Sequence, residues 1–509
     1  MRPAGALGEN TGVARRGKSR VVEEPTVAPP PSGGAYRPLN DTERDAIVDH
    51  AFELLEQVGM ADAPPATHQR LIDAGAGVRE DGRLTLPRTL VEDALAAAPS
   101  TVELPGLVEE RGISVGGSGV HIGTGGAAVQ TLHAADGSYA PSTIDDLWTM
   151  FRVLDESPNI HYGLRPLIAR DIDDPLELDV TTAFVAAAAT SKPTGISFTS
   201  AATVDPVIDL FEMTLGRQGG FASQPFSMAV VVHVVPPLRF SAEGCEIMER
   251  AIERGMIIQT CSAGQAGATS PASLAGSLAQ GLAEIFAGVV LAHAIRPSHP
   301  CIHAFMPFVS DLRSGSMTGG SGEAAVASAA AAQLLRHMEL PHAVSAGITE
   351  SKIADNQAGY EKGYTVSLAA HAGADMVQLS VGMLGSIMVA SPEAMVIDDD
   401  MCGAILRSVR GIDVDPSFLD VSLTEAVVSG AGHYLGEAQT LELMRSEYVY
   451  PTLGDRASVD EWVAAGEPTL WSRAQQRVSD VLSAGRPNHL PSDVEAKLRS
   501  SFPIRFGER

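Results

Sequence analysis

The sequence predicts an α/β protein: a (β/α)8 TIM barrel with an N-terminal helical region and a C-terminal helical extension. Three observations carry this. Apolar strand-like runs lie at 159–168, 194–200, 225–234, 256–262, 299–306, 342–348 and 375–384, with starts 31 to 43 residues apart. Ala- and Leu-rich helical stretches, such as 273–295 and 322–338, separate them. Strand–helix alternation at this spacing makes βαβ units on a parallel sheet, and a doubly wound open sheet usually has fewer of them. The third is bulk: 509 residues, 45% apolar and 19% charged, supply a large core.

In chain order, residues 1–38 are rich in Pro, Gly and Arg and read as a disordered arm. Residues 39–140 read as a helical region with a β-hairpin. Leu39-Asn40-Asp41 signals a helix start, and 41–60 sets Ile47, Ala51, Leu54, Leu55 and Val58 on one face. Further helices fit 64–75 and 87–98. Val115 to Gly126 alternates glycine with β-branched residues, a hairpin pattern, and the eighth barrel strand is assigned near 127–133. The glycines there lack the Lys of a P-loop and the helix of a dinucleotide fold. Residues 141–390 form the catalytic barrel, and 391–509 form C-terminal helices packed on it.

Lys and Arg total 36 and Asp and Glu 62, a net charge of −26. Such a chain does not hold a phosphate backbone by bulk electrostatics and is repelled by anionic membranes, so neither nucleic acid nor membrane is expected. The four cysteines show no CxxC spacing, so neither a disulfide framework nor a closed zinc site is expected, and no metal is assigned. No charge-free run of 18 apolar residues occurs, and no apolar segment follows Arg15, Arg16, Lys18 and Arg20. The expected compartment is the cytoplasm.

Barrel active sites lie at the C-terminal ends of the strands. Arg165, His233, His303, Phe305, Glu350 and Lys352 fall there. His233 and His303 each close an apolar run, as catalytic groups or as satisfied structural histidines. The segment from Gly347 to Lys362 is the densest polar cluster and follows a strand. Ala266 to Ser277 is almost entirely small residues, which suits tight helix packing or the approach of something bulky and flat.

Glu350-Ser351-Lys352 with Asp355 and Gln357-Ala358-Gly359-Tyr360-Glu361 resembles the trimethylamine methyltransferase family. So do Ala266-Gly267-Ala268-Thr269, Arg296-Pro297, Ser391-Pro392-Glu393, Gly432-His433-Tyr434-Leu435, and Arg445 with Pro451, Asp455 and Arg456. The resemblance runs from about residue 40 to about 500. It implies a barrel that moves a methyl group from a methylated amine to the cobalt of a corrinoid (cobalamin) carried by a separate small protein. Founding members carry pyrrolysine, whereas this chain has standard residues throughout. It therefore resembles the branch whose known substrates are glycine betaine and related quaternary amines.

A quaternary ammonium leaves as a neutral tertiary amine, so its departure needs no protonating acid. On this reading Glu350, His233 and His303 are the catalytic candidates. Arg165, Phe305, Phe308, Arg313 and Tyr360 are candidates to bind the substrate. Gly267, Lys352, Asp355 and Gln357 form the corrinoid-facing loop. A corrinoid protein is the expected partner, and a homo-oligomer is expected. Two alternatives stay open: a methyltransferase for trimethylamine or another methylated amine, and a non-catalytic barrel that binds betaine or a corrinoid protein.

Overall fold

The computed structural model describes residues 30–117, 119–216, 219–485 and 489–507. Most of the expected N-terminal arm, residues 1–29, lies outside the described residues. Eight parallel strands form the barrel: β1 (His121–Ile122), β2 (Gly163–Leu164), β3 (Thr194–Ile196), β4 (Ser227–Val231), β5 (Ile258–Ser262), β6 (Cys301–Phe305), β7 (His342–Ser345) and β8 (Met376–Gln378). Each pairs with its sequence neighbour, β8 returns to β1, and a parallel bridge between Gly123 and Tyr162 closes β1 onto β2.

Three helices precede the barrel: α1 (Asp41–Glu53), α2 (Pro65–Asp73) and α3 (Arg88–Ala97). One helix follows each strand: α4 (Ile144–Asp155), α5 (Pro175–Ala189), α6 (Val204–Leu215), α7 (Ala242–Glu253), α8 (Leu274–Ile295), α9 (Gly322–His337), α10 (Asn356–Ala372) and α11 (Pro392–Arg410). Side-chain caps start many of them. Asn40 and Glu43 form a reciprocal capping box on α1, and Thr143 and Asp146 form one on α4.

The eighth strand is not at 127–133. It is β1, and the barrel therefore begins before residue 141. Residues Gln130–His133 pair instead with Ser138–Pro141 and Val389–Ala390, in a small sheet beyond the strand ends. The physical reason is local. Strand β1 is two residues long and sits in a glycine run, so it has no apolar signature. Gly123 is required because the Tyr162 ring fills the space beside it: a Cβ there would lie 2.3 Å from the ring. Among the described residues of 115–126 the expected hairpin is not found, and Ile113–Val115 pairs back onto Val102–Leu104.

Helix α8 is, among the described residues, long and apolar enough to cross a membrane, yet 83% of its apolar window is buried inside the fold. Strands β5 and β6 pack on one side of it, and α1, α2 and α3 cover the other. A helix covered all round reads as apolar all round. Its one carboxylate, Glu284, is buried and accepts from Ser262 Oγ at 2.6 Å and the Leu238 amide at 3.0 Å, tying α8 to the end of β5 and to the loop after β4. Burial raises its pKa above the usual carboxylate value.

At the opposite end of the barrel, Lys192 is buried in the turn before β3. Its Nζ donates to the carbonyls of Leu154, Ser157 and Ile160 at 2.7, 2.6 and 2.6 Å. Beside it Asp155 gathers Arg111, Thr190 and His489, at 2.7, 2.9 and 2.9 Å. Helix Leu470–Ser483 then packs along α11 and α4, and Phe506 stacks on Trp148 at 5.1 Å between centroids.

Candidate active site

Strand residues alternate between two apolar clusters. Leu164, Met228, Cys261, Ile302, Ala304, Ala343 and Met376 belong to the cluster inside the barrel. Ile196, Ala229, Val231, Ile258, Cys301, Phe305, Val344 and Val377 belong to the cluster under the helices. This is the period of two expected for strands. Parity therefore decides which strand-end groups can meet a molecule in the lumen.

Two glutamines break the apolar lumen. Gln259 Nε2 donates to Gln378 Oε1 at 2.9 Å, and Gln378 Nε2 lies 3.2 Å from Met306 Sδ. Both are buried, and Gln259 Oε1 and the Tyr162 hydroxyl have no hydrogen-bond partner. Val230, in register with Gln259, is only half-buried, and Val232 above it is 51% exposed. Exposure is thus confined to the strand C-termini on this wall, while Gln259, Cys261, Ala304 and Gln378 are buried below them. Phe308, Met317 and Ile387 pack partly buried around the upper part.

Around this mouth the loops carry exposed apolar side chains. Val232 and Val235 follow β4, Leu312 follows β6, Ile353 and Tyr360 follow β7, and Met388 follows β8. An apolar ring around the mouth suits a large flat ligand presented from outside.

The residues singled out from sequence divide by parity. His233 and His303 do not face the lumen, which corrects the expectation for both. His233 points at α8, where a Cβ on Gly288 would lie 2.5 Å from its Nε2, and this nitrogen donates to the Glu284 carbonyl at 2.9 Å. His303 bonds Thr260 Oγ1 at 3.0 Å under the helices. Burial pushes their pKa values down to about 4 and about 3, with His233 and His342 adding to the effect on His303. Both are neutral and screened from the mouth. Phe305 also faces α8, where a Cβ on Gly281 would strike its ring at 2.3 Å, so it cannot bind a molecule in the lumen. The small residues of α8 thus admit side chains from the sheet.

Glu350 braces two loops rather than standing free. It accepts from the Gly319 and Gly320 amides at 2.7 and 3.2 Å. Burial and the nearby Glu361 raise its pKa, while the Gly319 and Gly320 amides oppose this. Glu361 in turn accepts from Thr349 Oγ1 at 2.5 Å and from Gln357 Nε2 at 2.9 Å. Asp355 caps α10, accepting from Ala358 N at 3.0 Å and Ser351 Oγ at 2.8 Å. Lys352 is exposed, and its Nζ donates to the Glu350 carbonyl at 2.8 Å.

Gly267 takes a positive φ of 86° in the loop after β5, against the exposed Leu312. Arg313 is 90% exposed and pairs with Asp311 at 2.8 Å, away from the lumen. Tyr360 is exposed on the second turn of α10, and Phe308 lies at the mouth. Arg165 follows β2 and is partly exposed. Its Nη1 reaches the Ser197 carbonyl at 3.4 Å, and its Nε has no partner.

The structure therefore brings Phe308, Arg165, Glu350 and Tyr360 to the strand-end face and leaves His233, His303 and Phe305 behind the sheet. Sequence reasoning missed Gln259, Gln378 and Met306. A signal existed: each glutamine is the lone amide in an apolar strand, two residues from an apolar residue of the inner cluster.

A closed (β/α)8 barrel with an exposed apolar rim at the strand C-termini is the architecture of the barrel enzymes, whose sites lie at that face. The chain belongs to the trimethylamine methyltransferase family: the family described as trimethylamine methyltransferase (MTTB) matches residues 8–505. A glycine betaine methyltransferase of Desulfitobacterium hafniense (strain Y51) is 28% identical over 476 residues, spanning 93% of this chain and 98% of that one. A trimethylamine methyltransferase of Methanosarcina mazei is 30% identical over 461 residues, spanning 90% and 92%. Among solved structures, the monomethylamine methyltransferase of Methanosarcina barkeri aligns with a TM-score of 0.49 at 13% identity, over 87% of this chain and 94% of that one. The family and the two sequence relatives are methyltransferases, and this chain is one.

Proposed function

We propose that this methyltransferase takes a methyl group from a quaternary amine of the betaine type and delivers it to a corrinoid carried by a separate protein. One observation carries the reading: in a chain of this family, an apolar lumen holds a buried pair of glutamines beneath an exposed apolar rim. Apolar walls accept N-methyl groups, which form no hydrogen bonds. The unpartnered Gln259 Oε1 offers a partial negative charge to a cation. Arg165 follows β2 with its Nε unpartnered and with Asp179 of α5 acting on its charge, and it is the cation assigned to the carboxylate of a betaine.

The rim fits the corrinoid as well. Exposed Val232, Leu312, Ile353 and Met388 provide apolar edges for a macrocycle seated over the lumen. When bound, the corrinoid supplies a strong cobalt nucleophile for the methyl carbon. The chain's own work is positioning. It holds the ammonium nitrogen below the mouth with one methyl directed outward, and it keeps water from the lumen walls. Such alignment is worth up to about 7–11 kcal/mol of barrier. The leaving tertiary amine departs neutral, so no residue transfers a proton to it, in keeping with histidines that lie behind the sheet. We assign the reaction to the cytoplasm, where the four buried unpaired cysteines suit a reducing compartment.

A second reading has a specific observation in its favour. A protonated tertiary amine brings an N–H that Gln259 Oε1 could accept, as a quaternary amine does not. Calorimetric titration of the full chain separates the two. Glycine betaine should bind saturably, and Arg165→Ala should weaken it by about tenfold or more, near 1.4 kcal/mol. Trimethylammonium binding more tightly than glycine betaine and choline would favour the second reading instead.

A further inference from the structure

The loop after β8 turns back on itself between Leu384 and Val389, which pair antiparallel. Its tip is closed by the Met388 amide, which donates to the Gly385 carbonyl at 3.2 Å. Between these two residues Ser386 and Ile387 take φ values of 55° and 65°, in the left-handed region. Tight hairpin positions with positive φ go to Gly, Asn or Asp. A β-branched residue there is an outlier, because its side chain crowds the backbone. Nine non-glycine residues have positive φ among the described residues, and Ile387 is the one β-branched member.

The surroundings hold this turn in place. The Gly385 amide donates to the Ser351 carbonyl at 2.7 Å and the Ser386 amide to the Thr349 carbonyl at 2.8 Å, the two neighbours of Glu350 in the chain. The Met388 carbonyl accepts from the Val129 and Gln130 amides, each at 3.2 Å. At the base of the loop the Gly382 amide donates to Asp398 Oδ2 at 2.8 Å, and the buried Lys362 meets the same oxygen at 2.6 Å. Space is cleared from the side of β1. A Cβ on Gly125 would lie 3.2 Å from Leu379, and one on Gly126 would lie 2.7 Å from Met383 and 3.4 Å from Ile387. The glycine run that hides β1 in the sequence therefore also makes room for this loop.

Backbone strain persists where the surrounding structure enforces it, and it gathers at functional sites. The Ile387 side chain is partly buried and packs on the cluster inside the barrel as well as on the one under the helices. Val230, Ala263, Phe308 and Met317 are the other partly buried side chains on the inner cluster. We propose that Ile387 is a specificity-determining residue: the strained turn holds its branched side chain at the mouth as a wall that fits N-methyl groups and excludes bulkier N-alkyl groups. Glycine or asparagine would relax the backbone but remove the wall. This role presupposes the quaternary-amine substrate proposed above.

Calorimetric titration of the full chain with glycine betaine and with its N,N,N-triethyl analogue tests the wall. The wild type should prefer glycine betaine by about tenfold or more, the scale on which an apolar pocket discriminates small alkyl groups. Ile387→Ala should reduce that preference by about tenfold or more, chiefly by gaining affinity for the triethyl compound. Ser386→Gly relaxes the neighbouring position, keeps the wall, and should leave the preference unchanged. Thermal unfolding tests the strain separately. Ile387→Gly and Ile387→Ala both lack the branched chain and differ in their tolerance of positive φ, so Ile387→Gly should have the higher Tm. A wild type that binds both compounds equally, or an Ile387→Ala variant that keeps the wild-type preference for glycine betaine, would overturn the inference alone. A wild type that binds neither compound would overturn the substrate reading and this inference with it. A Tm for Ile387→Gly at or below that of Ile387→Ala would show that the turn is not strained at Ile387 and would also overturn the inference.

Discussion

Gln378→Leu is expected to lower kcat/KM for the methylated amine by about 10- to 100-fold, roughly 1.4–2.8 kcal/mol of transition-state stabilisation. Gln378 joins the buried amide of Gln259 to Met306, one layer below the mouth. A leucine there fills similar volume but leaves Gln259 Nε2 unpaired in an apolar lumen. The amide of Gln259 then turns to another partner, and its free oxygen no longer faces the substrate in a fixed direction. The same loss costs stability, about 1–3 kcal/mol for a buried donor left without an acceptor.

The double variant Gln259→Leu/Gln378→Leu separates the two effects. Removing both partners leaves no orphan, so stability should recover toward the native value. Activity should stay low, because the polar floor is gone. Steady-state kinetics beside urea unfolding reads both. Activity within twofold of the wild type in the double variant would remove the glutamine pair from the site.

Lys192→Met is expected to destabilise the protein by about 3–5 kcal/mol, the cost of breaking a buried charge from its partners. Helix α4 ends at Asp155, and the Leu154 carbonyl in its last turn accepts from the Ser157 amide at 3.1 Å with capacity for a second donor. Lys192 Nζ meets that carbonyl and two more, from Ser157 and Ile160, with a positive charge at a helix C-terminus. Burial lowers the pKa of Lys192, with Asp399 and Asp155 opposing that shift. Methionine matches the stem but offers no donor, so the three carbonyls lose their charged donor and Asp399 and Asp155 lose a nearby cation. Urea unfolding followed by circular dichroism measures the effect. A loss below about 1 kcal/mol would show that water replaces the ammonium at no cost.

Much of this architecture was legible in the sequence because apolar strands and helices announce themselves by composition. Seven of the eight barrel strands fall inside apolar runs that are visible along the chain. Strand β1 was not visible, because the ring of Tyr162 demands glycine beside it and glycine erases the apolar pattern. At the site the strand ends were legible but the direction of the side chains was not. A shift of one residue sends a group to the other face. His303 and its neighbour Ala304 differ by that one step, and only the alanine faces the lumen. Gln259 and Gln378 were missed because a neutral amide in a strand carries no charge to draw attention.

The most direct test of the central claim is demethylation itself. The full chain, a reduced corrinoid protein and one amine at a time would be followed by proton NMR of the N-methyl signals. The account predicts that glycine betaine or a close quaternary amine is converted to its tertiary product, only when both proteins are present, and that Gln378→Leu slows the conversion. Conversion of trimethylamine but of no quaternary amine would contradict the account. So would the absence of any conversion with a corrinoid protein that another methyltransferase can methylate.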